Sequence, residues 1–82
     1  AGAFLVDVRT PEEFESGHVH ASVNIPLDQV AERLDEFDGK NHIIVFCRSG
    51  ARSGMAKAIL AQNGINHVTN GGTWEDIKQH ID

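Results

Sequence analysis

Two short runs of this 82-residue chain are almost wholly apolar, residues 3–8 and residues 43–46. Such runs predict buried strands, and both give way at their C-terminal ends to polar residues, Arg9 after the first and Arg48 after Cys47 in the second. Val23 and Ile25 are spaced to face one way, which predicts a short extended piece that Pro26 prevents from running into a helix. Elsewhere the period is helical. Leu27, Val30, Leu34 and Phe37 recur at steps of three and four, with Asp28, Glu32, Arg33, Asp35 and Glu36 between them, and predict an amphipathic helix. Met55, Ala56, Ile59 and Leu60 form a second stripe, opened by Arg52 or Ser53 and stopped at Asn63-Gly64. Residues 65–69 predict a short strand, and residues 73–81 a last helix with Thr73 as its cap.

The punctuation agrees. Thr10-Pro11-Glu12-Glu13 places a capping threonine, a proline at the first helical position and a glutamate at the third, so a short helix starts there. Gly17 ends it by supplying the left-handed backbone of a C-cap. Residues 38–41 and 70–72 read as turns. Strand and helix alternate throughout, which predicts one α/β domain over residues 1–82: a small, mostly parallel sheet with helices on both faces. Ligands of such sheets bind at the carboxyl ends of strands, where Cys47 lies.

Composition narrows the possible partners. The net charge of −5 argues against nucleic acid, which is bound by neutralising phosphates with Lys and Arg. No apolar run approaches the roughly 20 residues of a membrane span. A single cysteine forms no intrachain disulfide, so the thiol is either buried as a small hydrophobe or used chemically. A monomer is expected.

The segment Cys47-Arg48-Ser49-Gly50-Ala51-Arg52-Ser53 joins the second strand to the helix after it. A thiolate attacks and a thiol does not, so a nucleophilic cysteine needs nearby positive potential. This loop offers the guanidinium groups of Arg48 and Arg52, the positive end of the helix, and backbone N–H groups that a curled loop aims inward. Gly50 permits the curl, Ser49 and Ala51 beside it are small, and Ser53 is placed to cap the helix and donate a further hydrogen bond. Such a cradle would stabilise a thiophosphate, an arsenate adduct or a persulfide on the sulfur. Residue types do not choose among them.

That loop resembles the active-site loop of the rhodanese family of sulfurtransferases. Asp7-Val8-Arg9, Glu13-Phe14, Gly17-His18, Asn24-Ile25-Pro26 and Gly71-Gly72 with Trp74 resemble the family's other signatures, in the right order over nearly the whole chain. His20 departs from them, standing where glycine or proline is usual. The resemblance implies a rhodanese-like fold and a cofactor-free thiosulfate sulfurtransferase. Cys47 would take the sulfane sulfur as a persulfide and pass it to cyanide, a thiol or a protein acceptor, with residues 48–53 binding the donor. Four residues separate Cys47 from Arg52, whereas the related cysteine phosphatases and arsenate reductases have five, a wider ring suited to a tetrahedral oxyanion. The rivals are such an enzyme and a sulfur carrier that works with a protein partner. The short start before the first strand resembles small exported bacterial rhodaneses, which makes the periplasm the expected compartment and the cytoplasm the alternative.

The remaining polar residues have structural readings. Asp7, Arg9 and Glu13 are expected to form an ion pair bracing the strand end against the first helix. His18 is expected to be hydrogen-bonded in place, and the histidine spacing matches no metal motif. Trp74 and Phe37 read as core or rim packing.

Overall fold

The structure, a computed structural model, describes residues 3–81. Four strands, β1 (Phe4–Asp7), β2 (Val23–Asn24), β3 (Ile43–Cys47) and β4 (Val68–Thr73), form one parallel sheet in the order β2-β1-β3-β4. Alternation along the strands divides the core. Val6, Val8, Ile43, Val45 and Cys47 face Val30, Phe37, Ala56 and Leu60. Leu5 and Phe46 face Val19, Trp74 and Ile77 on the other side. Helix α2 (Ala51–Gln62) therefore covers one face and α3 (Trp74–Ile81) the other, as the alternation of elements requires. No helix among the described residues is long and apolar enough to cross a membrane.

Helix α1 (Pro11–Ser16) starts where its signals place it: the Thr10 hydroxyl accepts from the Glu13 N–H at 3.2 Å, and Glu13 Oε1 accepts from the Thr10 N–H at 3.0 Å. Gly17 ends it at φ 158°, ψ 132°, close to extended backbone and not in the left-handed helical region expected. Thr73 caps α3, its hydroxyl accepting from the Asp76 N–H at 3.2 Å.

Further expectations are corrected. The stripe from Leu27 to Phe37 lies on two 3-10 turns, Leu27–Glu32 and Leu34–Glu36, instead of one α-helix. Its three-residue steps match the 3-10 period, and the four-residue step spans the break at Arg33, which sits at φ −120°, ψ 35°. Helix α2 opens at Ala51 with Gly50 as its N-cap, so neither Arg52 nor Ser53 starts or caps it. Met55 stands 58% exposed, outside the buried stripe of Ala56 and Leu60.

The last strand is displaced to Val68–Thr73 and contains Asn70-Gly71-Gly72, which composition marks as a turn. Packing explains the glycine: a Cβ on Gly71 would lie 2.8 Å from Ile77 Cδ1 and 2.9 Å from Ile44 Cγ2. The strand is pressed too closely between α3 and β3 for any side chain there. Its register against β3 also slips, from Val45 opposite Asn70 to Cys47 opposite Thr73, so β4 carries an extra residue beside the cysteine.

Candidate active site

Strand β3 delivers Cys47 to the carboxyl end of the sheet, where the residue is 1% exposed. The chain then turns back over the sulfur. Gly50, at φ 94° and ψ −12°, holds a left-handed conformation that costs an L-residue about 1–2 kcal/mol. That conformation points its N–H at Cys47 Sγ, 3.0 Å away. Ser53 comes from the first turn of α2 and brings its Oγ to 3.6 Å from Sγ. Burial pushes the Cys47 thiol up, but the N–H and hydroxyl of Ser53 and the N–H groups of Ser49 and Gly50 outweigh it and bring the thiol down from 9.0 to about 7. A thiol lowered this far ionises in the neutral range, where an ordinary cysteine stays protonated.

The predicted loop residues divide by role. Gly50 and Ser53 touch the sulfur, and Ser49 contributes its N–H while its exposed hydroxyl accepts from the Ala51 N–H at 3.4 Å. Ala51 is the exposed first residue of α2. Arg52 turns to α1: its two terminal nitrogens meet Glu13 Oε1 at 2.8 Å and Oε2 at 3.0 Å. The hydrogen bond from Arg52 and the one from the Thr10 N–H, against a smaller opposing effect of burial, hold Glu13 at about 2 instead of 4.5. Hydrogen bonding to Glu13 in turn raises Arg52, with the charges of Glu13, Cys47 and Asp7 adding to it. Arg48 is exposed and forms no ion pair among the described residues. It lines a cleft of about 300 Å³ with Arg9, Glu13, Ser16, Trp74 and Glu75.

The expected Asp7-Arg9-Glu13 group is split. Asp7 and Arg9 pair in the interior, with Nη2 to Oδ2 at 2.7 Å and Nε to both carboxylate oxygens at 2.9 Å. Arg9 also donates to the Gly17 carbonyl at 2.6 Å, bracing the strand end against α1 as expected, and its guanidinium lies 4.5 Å from the centre of a Trp74 ring. Glu13 takes no part, having gone to Arg52. His18 is structural as expected: its ring stacks on Phe14 at 3.8 Å and its Nδ1 lies 2.7 Å from the Phe14 carbonyl oxygen. Among the described residues no group of three or more His, Cys, Asp or Glu is placed to hold a metal ion.

One residue escaped the sequence reading. Asn70 reaches from β4 to the loop, with Oδ1 2.7 Å from Ser53 Oγ and Nδ2 donating to the Gly50 carbonyl at 3.2 Å. Its turn-like neighbours hid it.

A buried thiol held near neutrality by converging donors at a helix start suits nucleophilic attack and the charged adduct that follows. The sequence matches a family model, that of the rhodanese-like domain, over residues 1–79. The chain belongs to the rhodanese family. It is 42% identical over 79 residues to thiosulfate sulfurtransferase PspE of Escherichia coli K12, spanning 94% of this chain and 76% of that protein. A sulfurtransferase of Allochromatium vinosum is 38% identical over 80% of this chain and 62% of its own length. The solved structure of a rhodanese with anions from E. coli superposes with a TM-score of 0.81 at 38% identity, covering 92% of this chain and 91% of that one. The rhodanese fold expected from the signatures is thus found, and the chain is a sulfurtransferase of that family.

Proposed function

We propose that the protein moves a sulfane sulfur from thiosulfate to a thiol or cyanide acceptor through a persulfide on Cys47. The Cys47 thiolate attacks the outer sulfur of thiosulfate. A new S–S bond forms as the bond to the sulfonate sulfur breaks, and sulfite leaves with the electron pair. An acceptor thiolate or cyanide then attacks the outer sulfur of the persulfide, and Cys47 returns as a thiolate. The negative charge on that outer sulfur is stabilised by the loop N–H groups and the start of α2. Arg48, exposed at the rim of the cleft, attracts the anionic donor, and the cleft gives a small thiol room beside the loop.

The observation that carries this reading is the Gly50 N–H at 3.0 Å from a sulfur whose thiol is brought down to about 7. The Arg52 pairing weighs against phosphoryl transfer. A phosphatase arginine forks onto the tetrahedral oxyanion, whereas both terminal nitrogens of Arg52 are engaged by Glu13. Intact-protein mass spectrometry after thiosulfate treatment tests the proposal. A reducible gain of one sulfur atom is expected on the parent protein and not on Cys47→Ser. No gain on the parent sinks the persulfide, and a gain that persists in the variant sinks the assignment to Cys47.

A further inference from the structure

Ser53 has one hydroxyl hydrogen and three neighbours that could take it: Asn70 Oδ1 at 2.7 Å, the Gly50 carbonyl at 3.1 Å and Cys47 Sγ at 3.6 Å. The orientation of the Asn70 amide is fixed by its other contacts. The Gly72 N–H, 3.0 Å away, requires an oxygen, and the Gly50 carbonyl, 3.2 Å away, requires an N–H. The oxygen of Asn70 therefore faces Ser53, and the shortest of the three contacts draws the hydrogen towards Asn70 and away from the sulfur. With the hydrogen so placed, a lone pair of Ser53 Oγ is left to accept from the Cys47 S–H. When the sulfur ionises or carries a persulfide, the hydroxyl can rotate onto it at the cost of its bond to Asn70, whose Oδ1 keeps the Gly72 N–H and is not left unpaired.

We infer that Asn70 is a positioning residue for the nucleophile: it holds the Ser53 hydrogen while Cys47 is a thiol and yields it when the sulfur becomes charged. The same amide ties β4 to the loop through Gly50, from the last position in regular register before the slip beside Cys47. Other charges near the sulfur lie elsewhere and are untouched by a change at Asn70. Arg52 of α2 is held by Glu13 of α1, Asp7 of β1 is paired with Arg9, and Arg48 faces solvent.

The inference rests on Cys47 as the reacting group, but its test needs no turnover. The rate of Cys47 alkylation by iodoacetamide is followed against pH, and the midpoint is read in two backgrounds, parent and Ser53→Ala. Removing the nearer competing acceptor leaves only the longer Gly50 carbonyl contact to hold the hydroxyl from the thiolate, so Asn70→Ala lowers the midpoint by about half to one unit in the parent, the scale of one neutral hydrogen bond. In Ser53→Ala the same substitution leaves the midpoint unchanged. An unchanged or raised midpoint in the parent, or an equal shift in both backgrounds, overturns the inference. Asn70→Asp serves if the alanine variant does not fold. A carboxylate holds the hydrogen more tightly, so the midpoint rises, and by more with Ser53 present than without it. An equal rise in both backgrounds is the direct effect of charge and equally overturns the inference. A protein that shows the coupling but gains no sulfur from thiosulfate refutes the proposed reaction alone.

Discussion

Substituting Gly50 by alanine should separate what the loop does for stability from what it does for the sulfur. A Cβ at Gly50 would lie 3.5 Å from Gly72 Cα and 3.9 Å from Gly72 C, ordinary contact distances, so crowding does not decide the outcome. The backbone does. At φ 94° an L-residue pays about 1–2 kcal/mol, offset by about 0.4–1 kcal/mol from the stiffer unfolded chain, for a net loss near 1 kcal/mol. In the thiol form the N–H to Sγ bond is weak, and the loop relieves its strain by turning the peptide away. The thiolate form then has either to keep the strain or to lose a charge-assisted bond, and both disfavour it by more than 1 kcal/mol. The Cys47 midpoint of about 7 should accordingly rise by about one unit, lowering alkylation at pH 7 about fivefold. Gly64 is the control. It lies just past α2 at φ 82° with nothing within 4 Å of its would-be Cβ, so Gly64→Ala meets the same backbone penalty far from the sulfur. Urea unfolding should give similar losses for both variants, and alkylation against pH should shift for Gly50→Ala alone. A Gly50→Ala protein destabilised like Gly64→Ala but with an unmoved midpoint would refute the claim that this N–H holds the thiolate.

Glu13→Gln removes the charge paired with Arg52 while leaving a side chain that can still complete the α1 capping box. Both partners are about a third exposed, so screening limits the loss to roughly 0.5–1 kcal/mol. Because the folded state depresses Glu13 from 4.5 to about 2, its contribution is complete above pH 4.5 and fades as pH falls towards 2. Urea midpoints should fall more steeply over that window for the parent than for the variant, and parallel slopes would show that the pair contributes nothing. Gly71→Ala drives a methyl group into Ile77 and Ile44 and should cost about 1–3 kcal/mol by urea unfolding. Ile77→Val, which removes the Cδ1 atom in the way, should recover part of it in the double variant, and a Gly71→Ala protein as stable as the parent would show that β4 has room.

The fold was readable where local chemistry and long-range packing ask for the same residue. Thr10 and Glu13 cap α1 by contacts within one turn, and the run from Ile43 to Phe46 is apolar because both of its faces are covered. Reading failed where the two diverge. Asn70-Gly71-Gly72 has the composition of a turn, yet the glycine at 71 answers to Ile77 of α3 and Ile44 of β3, which together fill the space a side chain there would need. The stripe through Leu27 and Phe37 correctly named the buried side of its segment but not the helix type, since steps of three suit a 3-10 turn as well as an α-helix.

The site divides in the same way. Cys47, Gly50 and Ser53 lie within seven residues, so their convergence could be read from one loop. The two contacts that set how that loop works cross from other elements, Glu13 from α1 to Arg52 and Asn70 from β4 to Ser53. Their consequences run in the same direction, each withholding a group from the thiolate. Glu13 engages the Arg52 nitrogens, so Arg52 acts on the thiolate through its charge and not through a hydrogen bond, and Asn70 competes for the Ser53 hydroxyl. A site built for maximum positive potential would free Arg52 and leave Ser53 to the sulfur alone. This one holds the thiol near 7 when more depression was within reach of its own residues, and a thiol whose pKa lies near ambient pH attacks fastest, because nucleophilicity falls as the thiolate is stabilised. Sulfur transfer needs Cys47 to attack a donor and then to leave from its own persulfide, and an intermediate thiolate serves both steps better than an extreme one.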